Sequence, residues 1–336
     1  MKLQDITPKR LPAEELRDHL MLRAAKLYYG LEHTQSQIAL ELGLTRWQVS
    51  RLLSEAKELG VVRIEIVPRS ARRLDLEALL QKEFGLAEAI VVSGAGVEGK
   101  EQGPALESVA QAAGQFLASQ SPKVSLIGVS WGRTMAAVAH WLPQKWSDGV
   151  SVVVVNGATM YRTGGNQSNA VAERFAQAGN GTATLLPVPA IVGASTTRKV
   201  LEHDPVIARI LELARRAPIT CFGLGALSKS SVLVESGYLE PEDIDRLASR
   251  GAVGDILGRF INAEGEIADP DLDARTIGVK PRDLRSRRTV GICAGRAKHA
   301  IALTCLRAGY INVLVTDEGT AIYALEQGSR TGEKRG

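Results

Sequence analysis

From Ala89 onward the sequence alternates short, continuous apolar runs with segments of helical periodicity, and this alternation restricts the fold more than any other feature. Six runs are present: AIVV, VSLIGV, VSVVVV, ITCFGL, TVGICA and INVLVT. Strands that are apolar on both faces are typical of a mostly parallel sheet covered by helices on both sides. The larger, C-terminal part of the chain is therefore predicted to be an α/β domain.

The length and composition are those of an ordinary globular protein. The 336 residues are enough for about two domains. A hydrophobic content of 45% and a charged content of 23% argue against a disordered chain. The formal net charge of +4 permits a nucleic-acid partner without requiring one, because the local arrangement of charge decides.

No targeting or membrane segment is expected. The opening residues MKLQDITPKRLPAEELRDHL are charge-dense and lack the apolar region of a signal peptide. No run approaches the ~20 apolar residues of a membrane span. The cysteines Cys221, Cys293 and Cys305 form no CxxC pair, so we expect reduced, buried packing residues in a cytoplasmic protein without metal or cofactor.

The segment TQSQIALELGLTRWQVSRLLSEAKELG has the signature of a helix-turn-helix. Thr34 with Gln37, and Thr45 with Gln48, each fit a capping box, in which the two residues satisfy each other's free backbone N–H. Gly43 lies in the turn between the two helices. The strand-like VVRIEIV that follows is predicted to form a wing.

The second of these helices has the features of a recognition helix. One face carries a buried stripe at helical spacing, formed by Val49, Leu52, Leu53 and Ala56. Trp47 and Arg51 point away from that stripe, toward the base edges of a major groove, and Arg46 is better placed for a phosphate. The predicted DNA-contacting residues are Thr34, Gln35, Thr45, Arg46, Trp47, Gln48, Ser50 and Arg51.

The alternative is the solvated face of a small helical module. Glu55 and Glu58 lie further along the same helix and weaken its positive field. Weak electrostatics in one copy predicts that affinity needs at least a dimer, with several copies sharing the DNA site.

Domain boundaries follow from breaks in the pattern. Pro68 and the basic RSARR interrupt it, and LDLEALLQKEFGL then has the apolar spacing of one helix. The predicted organisation is a helix-turn-helix DNA-binding domain at 1–68, a linker helix at 69–85, and the α/β domain at 86–330.

The stretch GVSWGRT, between VSLIGV and MAAVAHWL, is suited to holding an anion. The loop and the following helix N-terminus present N–H groups and partial positive charge at the carboxyl edge of a parallel sheet. Gly128 and Gly132 allow a tight turn, Ser130 and Thr134 supply hydroxyls, and Arg133 adds charge. The stretch matches neither a Walker A loop nor GxGxxG. A purely structural turn is the alternative.

The order of these motifs resembles the sorbitol-operon regulator (SorC) family of bacterial transcription factors. The resemblance begins with VSRLLSEAKELGVVRIEI and IGVSWGRTMAAVAHWL. It continues through CFGLGAL, GAVGDILGRFINAEG and AGRAKHAIALTCLRAGYINVLVTDEGTA, and covers nearly the whole chain.

The resemblance implies a winged helix-turn-helix joined to a Rossmann-like effector domain of the sugar-phosphate isomerase and CoA-transferase type. It further implies operator DNA as one partner, a phosphorylated sugar or polyol as the other, and assembly into homodimers or homotetramers, with effector binding and oligomerisation assigned to the domain at 86–330. The implied effector-binding residues are Gly128, Ser130, Trp131, Gly132, Arg133, Thr134, Asn156, Gln167, Asp255 and Lys298. The family's glycine pair after AG is here Gly295-Arg296 and its NGG is NGA, so the ligand's identity stays open.

Several of these residues also have structural interpretations. Asp255 could cap a helix that starts near Ile256, and Lys298 could be a surface lysine in a first helical turn. Asn156 and Gln167 lie in turn-like segments that need no ligand. Asp317 and Glu318 fit a cap of the final helix better than a catalytic pair.

The chain is expected to regulate transcription rather than to catalyse a reaction. Isomerase chemistry needs a positioned general base beside a held phosphate, and none of the histidines shares a local motif with a nucleophile. The alternative is a sugar-phosphate isomerase-like enzyme with an appended DNA-binding domain. Whether the effector releases or tightens DNA binding is not set by the sequence.

Overall fold

The computed structural model describes residues 13–62, 72–93, 104–158, 168–284 and 287–332. The chain divides into two compact units, residues 1–68 and 69–336. The segment predicted as a wing falls largely outside the described residues, since only Val61 and Val62 of it are described, as bends.

The first unit is helical. Its elements are α1 (Ala13–Ala25), a π-helical turn (Lys26–Gly30), α2 (Gln35–Leu42) and α3 (Arg46–Glu58). Both predicted capping boxes are present, at Thr34 and at Thr45, and Gly43 ends α2 in the left-handed conformation at φ 65°. The predicted stripe of α3 is buried against Ile38, Met21 and their neighbours. The helix-turn-helix is confirmed.

The second unit alternates strands and helices. Its first half contains α4 (Leu74–Phe84), β1 (Glu88–Val92), α5 (Pro104–Ala118), β2 (Leu126–Val129), α6 (Arg133–Trp141), β3 (Ser151–Val154), α7 (Ser168–Ala178), β4 (Thr182–Thr184), α8 (Ser195–His203) and α9 (Pro205–Arg216). Its second half contains β5 (Ile219–Ala226), α10 (Val232–Glu235), α11 (Pro241–Ser249), β6 (Ala252–Ile256), β7 (Arg259–Asn262), α12 (Pro270–Asp273), β8 (Arg288–Cys293), α13 (His299–Arg307), β9 (Val313–Asp317) and α14 (Glu318–Gly332). Two short 3-10 helices, Pro281–Leu284 and Arg296–Lys298, flank β8.

Seven strands form one parallel sheet in the order β1-β9-β8-β5-β2-β3-β4. The six apolar runs predicted from the sequence are β1, β2, β3, β5, β8 and β9. Successive side chains alternate between the two faces, so that Ile90 and Val92 pack in one core while Ala89 and Val91 pack in the other. Helices α5, α6 and α7 cover the first face, and α4, α13 and α14 cover the second. The α/β fold is confirmed.

The helix predicted to connect the domains is α4, and it packs on the sheet of the second unit. Leu76 and Leu80 are buried there, whereas Leu79 is exposed. The buried carboxylate of Glu77 accepts from Val91 N at 2.9 Å and pairs with Arg72 at 2.7 Å. These bonds fasten the start of the unit to β1.

The cysteines and the helices also bear on the sequence predictions. Cys221, Cys293 and Cys305 are free and buried, as predicted. Burial raises the pKa of all three thiols, to about 12 for Cys293. Among the helices described, none has the length and apolar character needed to cross a membrane.

Candidate functional site

A cavity opens at the carboxyl edge of the sheet, between β2 and β5. Strands β2 and β5 are neighbours in the sheet. The strand that follows β2 in the chain, β3, lies on the outer side of β2, whereas β8, which comes after β5 in the chain, lies on the outer side of β5. Ligands of open α/β sheets bind outside the carboxyl ends of the strands at such a reversal. The cavity holds about 90 Å³ of free space, several times the roughly 10–15 Å³ that one water needs.

One wall of the cavity is the turn from β2 into α6. Gly132 precedes the helix at φ 116°, a conformation that favours glycine, and this N-cap residue supplies no side-chain cap to the first N–H groups of α6. Ser130 and Thr134 are buried and line the cavity. The N–H groups of the first turn, the helix dipole and two hydroxyls together form a surface suited to an anion.

The other predicted residues of this turn are placed differently. Arg133 lines the cavity, but its guanidinium donates to Ser230 O at 2.8 Å and lies 3.4 Å from Glu235 Oε1. Its charge is therefore shared with an acidic partner. Gly128, expected in the turn, lies within β2 and is not a lining residue. A Cβ there would lie 2.7 Å from Val155 Cγ1, so strand packing explains this glycine.

Trp131 joins the turn to the end of β3. Its indole Nε1 donates to Gly157 O at 2.7 Å. From another segment, the Tyr238 hydroxyl donates to Ala158 O at 3.0 Å. The backbone that follows Asn156 is thus fixed by two aromatic side chains.

Asp255 enters the cavity from the β6–β7 hairpin. The hairpin pairs with the end of β5, where Asp255 lies opposite Gly225, so the interpretation of Asp255 as a helix cap was wrong. Its Oδ2 accepts from Gly258 N at 3.0 Å. Removal from bulk water raises the pKa of Asp255, and the Gly258 N–H and the Lys298 charge oppose that rise.

Lys298 reaches the cavity from the 3-10 turn before α13. It is partly buried, and its Nζ donates to Leu224 O at the end of β5. The interpretation of Lys298 as a surface lysine was therefore wrong. An ammonium and a carboxylate thus both line the cavity, each partly buried.

Asn156 completes the lining. It is 2% exposed, and its Oδ1 has no hydrogen-bond partner among the described residues. Its backbone is held by a bridge to Gly278, where a Cβ would lie 2.8 Å from Asn156 Cα. A buried acceptor without a donor is costly unless a ligand or water supplies one. Gln167 lies outside the described residues.

Sequence reasoning missed two components of the site. The end of β5, Gly223 to Ala226, forms the cavity floor, and the available signal was the glycine spacing in CFGLGAL. The second is Arg259, which is 1% exposed and pairs with Asp273. Its guanidinium also donates to Thr276 O and Gly278 O, at 3.1 and 3.3 Å. Arg259 thereby supports the segment that holds Asn156.

The predicted cap of the final helix is also present. Asp317 ends β9, and its Oδ1 accepts from Thr320 N at 2.8 Å. Its Oδ2 accepts from Gly295 N at 2.5 Å. Glu318 pairs instead with Arg73. Capping by Asp317 is confirmed.

In the first unit, α3 presents the predicted recognition face. Arg46, Trp47 and Arg51 are exposed, and Ser50 is partly exposed. The Gln48 side-chain oxygen accepts from Thr45 N at 2.8 Å, so it is occupied by the capping box. At the start of α2, the N-cap residue Thr34 is exposed and Gln35 is partly exposed.

A helix-turn-helix and a three-layer α/β unit with a polar cavity define a ligand-responsive DNA-binding protein. Residues 69–326 match the family model described as "Putative sugar-binding domain". The deoxyribonucleoside regulator of Bacillus subtilis is 31% identical over 306 residues, which cover 91% of this chain and 96% of that relative.

Comparison with solved structures gives the same result. The full-length sorbitol operon regulator SorC of Klebsiella pneumoniae aligns with a TM-score of 0.67 and 28% identity, covering 93% of this chain and 100% of that chain. A DeoR family regulator of Listeria monocytogenes aligns at 0.66 and 28%, covering 75% and 98%. The chain belongs to the SorC family of sugar-responsive bacterial transcriptional regulators. It is a regulator and not an enzyme.

Proposed function

We propose that the cavity binds a phosphorylated sugar or polyol, and that this effector controls the affinity of α2 and α3 for operator DNA in a carbohydrate or polyol catabolic operon. The observation that carries the proposal is the polarity of the cavity. Its lining combines the N-terminus of α6, Ser130 and Thr134 with a second group, Asp255, Lys298 and Asn156, and the Asn156 Oδ1 has no partner among the described residues.

These two groups of lining residues differ in the ligand groups that they would bind. The N-terminus of α6 and its hydroxyls favour a phosphate, because donors and partial positive charge converge there. The Asp255 carboxylate and Asn156 Oδ1 are acceptors, so they favour hydroxyl groups that donate. A phosphate joined to a polyhydroxylated chain would supply acceptors to the first group of residues and donors to the second.

A panel of ligands tests this proposal. Phosphorylated sugars and polyols would be added to the full-length protein, each beside its unphosphorylated parent. Binding to the folded state at about 100 times Kd stabilises it by ~2.7 kcal/mol, which for a unit of this size is a rise in Tm of about 5–10 °C. We expect a rise with at least one phosphorylated compound and none with its parent. A panel in which only unphosphorylated compounds stabilise the protein would refute the phosphate assignment.

The double variant Ser130→Ala, Thr134→Ala is expected to weaken effector binding about a hundredfold or more. It removes two hydroxyls that donate to the phosphate, and hydrogen bonds to charged groups contribute ~1.5–3 kcal/mol each. Non-operator duplex binding should stay unchanged, because both residues lie in the second unit. An unaltered effector response would refute the assignment of this turn as the phosphate site.

Arg51→Ala is expected to weaken specific operator binding by ~1–3 kcal/mol, since a base contact by arginine contributes that much discrimination. Arg46→Ala should instead weaken specific and non-specific binding alike and lower the salt dependence by about one phosphate contact. Fluorescence anisotropy at several salt concentrations separates these outcomes. Equal losses of specific and non-specific affinity in Arg51→Ala would contradict a base contact.

Linkage explains how the two sites communicate. An effector changes operator affinity only by binding one arrangement of the protein better than another. Helix α4 is the first described element of the second unit, so a change there would reach the DNA-binding unit through the chain that precedes it. Assembly as a homodimer or homotetramer lets two DNA-binding units share one operator, with half-site spacing set by the oligomer.

A further inference from the structure

The outward face of α3 carries an interaction that the fold of this unit does not require. Trp47 is 68% exposed in the first turn of the helix, and Arg51 lies one turn later. The guanidinium Cζ of Arg51 is 5.6 Å from the centre of the Trp47 ring. A large aromatic side chain so exposed contributes little to the core of its own unit.

In the part of the chain that the structure describes, no carboxylate lies at ion-pair distance from Arg51, although the hydrogen bond from Arg17 and, to a lesser extent, the charge of Arg51 lower the pKa of Glu55. Glu55, one further turn along α3, is held by Arg17, with Nη2 to Oε2 at 2.6 Å and Nε to Oε1 at 3.1 Å. Among the described residues, Arg51 makes no hydrogen bond or ion pair of its own, so its N–H donors are available to a partner. Gln48 has its side-chain oxygen occupied by Thr45. Arg51 therefore presents donors on this face that no described residue engages in a hydrogen bond.

A guanidinium that contacts an indole through the face of the ring leaves its own in-plane N–H edge free. The ring attracts the cation through its face, while the fork of donors lies in the guanidinium plane and points outward. That fork matches guanine O6 and N7, which accept two parallel hydrogen bonds in the major groove. A side chain held in place before binding loses less conformational entropy when it binds.

We infer that Trp47 is a positioning residue that orients Arg51 to bind one guanine in each operator half-site. This inference rests on the proposed function and adds the identity of a base and the residue that controls its selection. Trp47 acts through Arg51, so its removal should reduce base discrimination while leaving the attraction to phosphates unchanged.

The test is selection of duplexes from a randomised pool by the full-length protein, followed by measured affinities for the best site and for its guanine-to-adenine derivative. The wild type is compared with Trp47→Leu, Trp47→Phe and Arg51→Lys. Leu59→Ala is the matched control. It removes an apolar side chain that is 63% exposed from the C-cap of α3, at the opposite end of the helix from Trp47. Tm and affinity for a non-operator duplex check that each variant is folded.

We expect the wild type to select one guanine per half-site. Trp47→Leu should reduce guanine preference about two- to fivefold per half-site, while Trp47→Phe keeps most of it and Leu59→Ala keeps all of it. Arg51→Lys should reduce the preference further, because a lysine lacks the planar fork. The slope of affinity against salt should be the same in wild type and Trp47→Leu.

Each other outcome overturns the inference in a distinct way. If Trp47→Leu selects guanine as strongly as the wild type, or if no half-site position is a guanine that depends on Arg51, the inference is wrong and the proposed function stands. If Trp47→Leu loses all duplexes equally, Trp47 has a general binding role. If the wild type selects no duplex, the proposed function itself fails.

Discussion

Gly225→Ala is expected to reduce the affinity for the proposed phosphorylated effector about 10- to 100-fold while non-operator DNA binding is kept. A Cβ at position 225 would overlap the Asp255 Oδ1 atom, because the two residues are paired across β5 and β6. The Asp255 carboxylate would have to change its position, and the hydrogen bonds that we propose it makes to ligand hydroxyls would be lost. A charged hydrogen bond contributes ~1.5–3 kcal/mol.

The measurement is titration of the stabilising compound from the ligand panel into the wild type and the variant. Gly193→Ala is the matched control, since a Cβ there meets nothing within 4 Å and Gly193 has no left-handed φ. We expect the control to bind as the wild type does. The ligand-free unfolding free energy of Gly225→Ala should fall by only the ~1–3 kcal/mol typical of local overpacking. Wild-type affinity in Gly225→Ala would show that Asp255 does not contact the ligand.

Arg259→Met is expected to lower the unfolding free energy of the second unit by ~3–5 kcal/mol, the loss observed when one partner of a buried ion pair is removed. Arg259 is buried, and burial lowers the pKa of its guanidinium against the opposing effect of Asp273. The substitution leaves the Asp273 carboxylate without its partner and removes the donor to Thr276 O and Gly278 O. For a unit of this size the fall in Tm is about 5–15 °C.

The double variant Arg259→Met, Asp273→Leu separates the charge from the packing. An apolar pair in place of a buried ion pair is often neutral or stabilising, so this variant should recover much of the lost Tm. Effector affinity should fall below that of the wild type in both variants. Each loses the hydrogen bond from Arg259 to Gly278 O, and Gly278 bridges to the cavity residue Asn156. A single variant with wild-type Tm would refute the stabilising role of the ion pair.

The alternation of apolar runs was sufficient to predict the sheet, because a strand covered on both faces is apolar throughout. It missed β4, β6 and β7. β4 is a three-residue edge strand of Thr182–Thr184, whose exposure removes the apolar signal. The β6–β7 hairpin has a mixed pattern of buried and partly exposed residues, since it pairs with only the last part of β5.

The helix-turn-helix was predictable in detail for a local reason. Capping boxes join residues three apart, as in Thr34 with Gln37, and the buried stripe of α3 repeats within a few residues. Such interactions depend on neighbours in the chain. The contact between the Arg51 guanidinium and the Trp47 ring is also local, at one helical turn. The sequence alone does not give the side-chain rotamers that produce it.

The sequence by itself determined the α/β layering and the helix-turn-helix, and it located the turn that we propose to bind an anion, because each depends on periodicity or on contacts between near neighbours. Only the tertiary structure decided that Asp255 is on a hairpin opposite Gly225, that Lys298 reaches Leu224 O, and that Arg259 is buried with Asp273. These residues are brought together by strand order and by an antiparallel addition to a parallel sheet. Contacts between distant segments leave no periodic signal in the chain, so the folded structure was needed to reveal them.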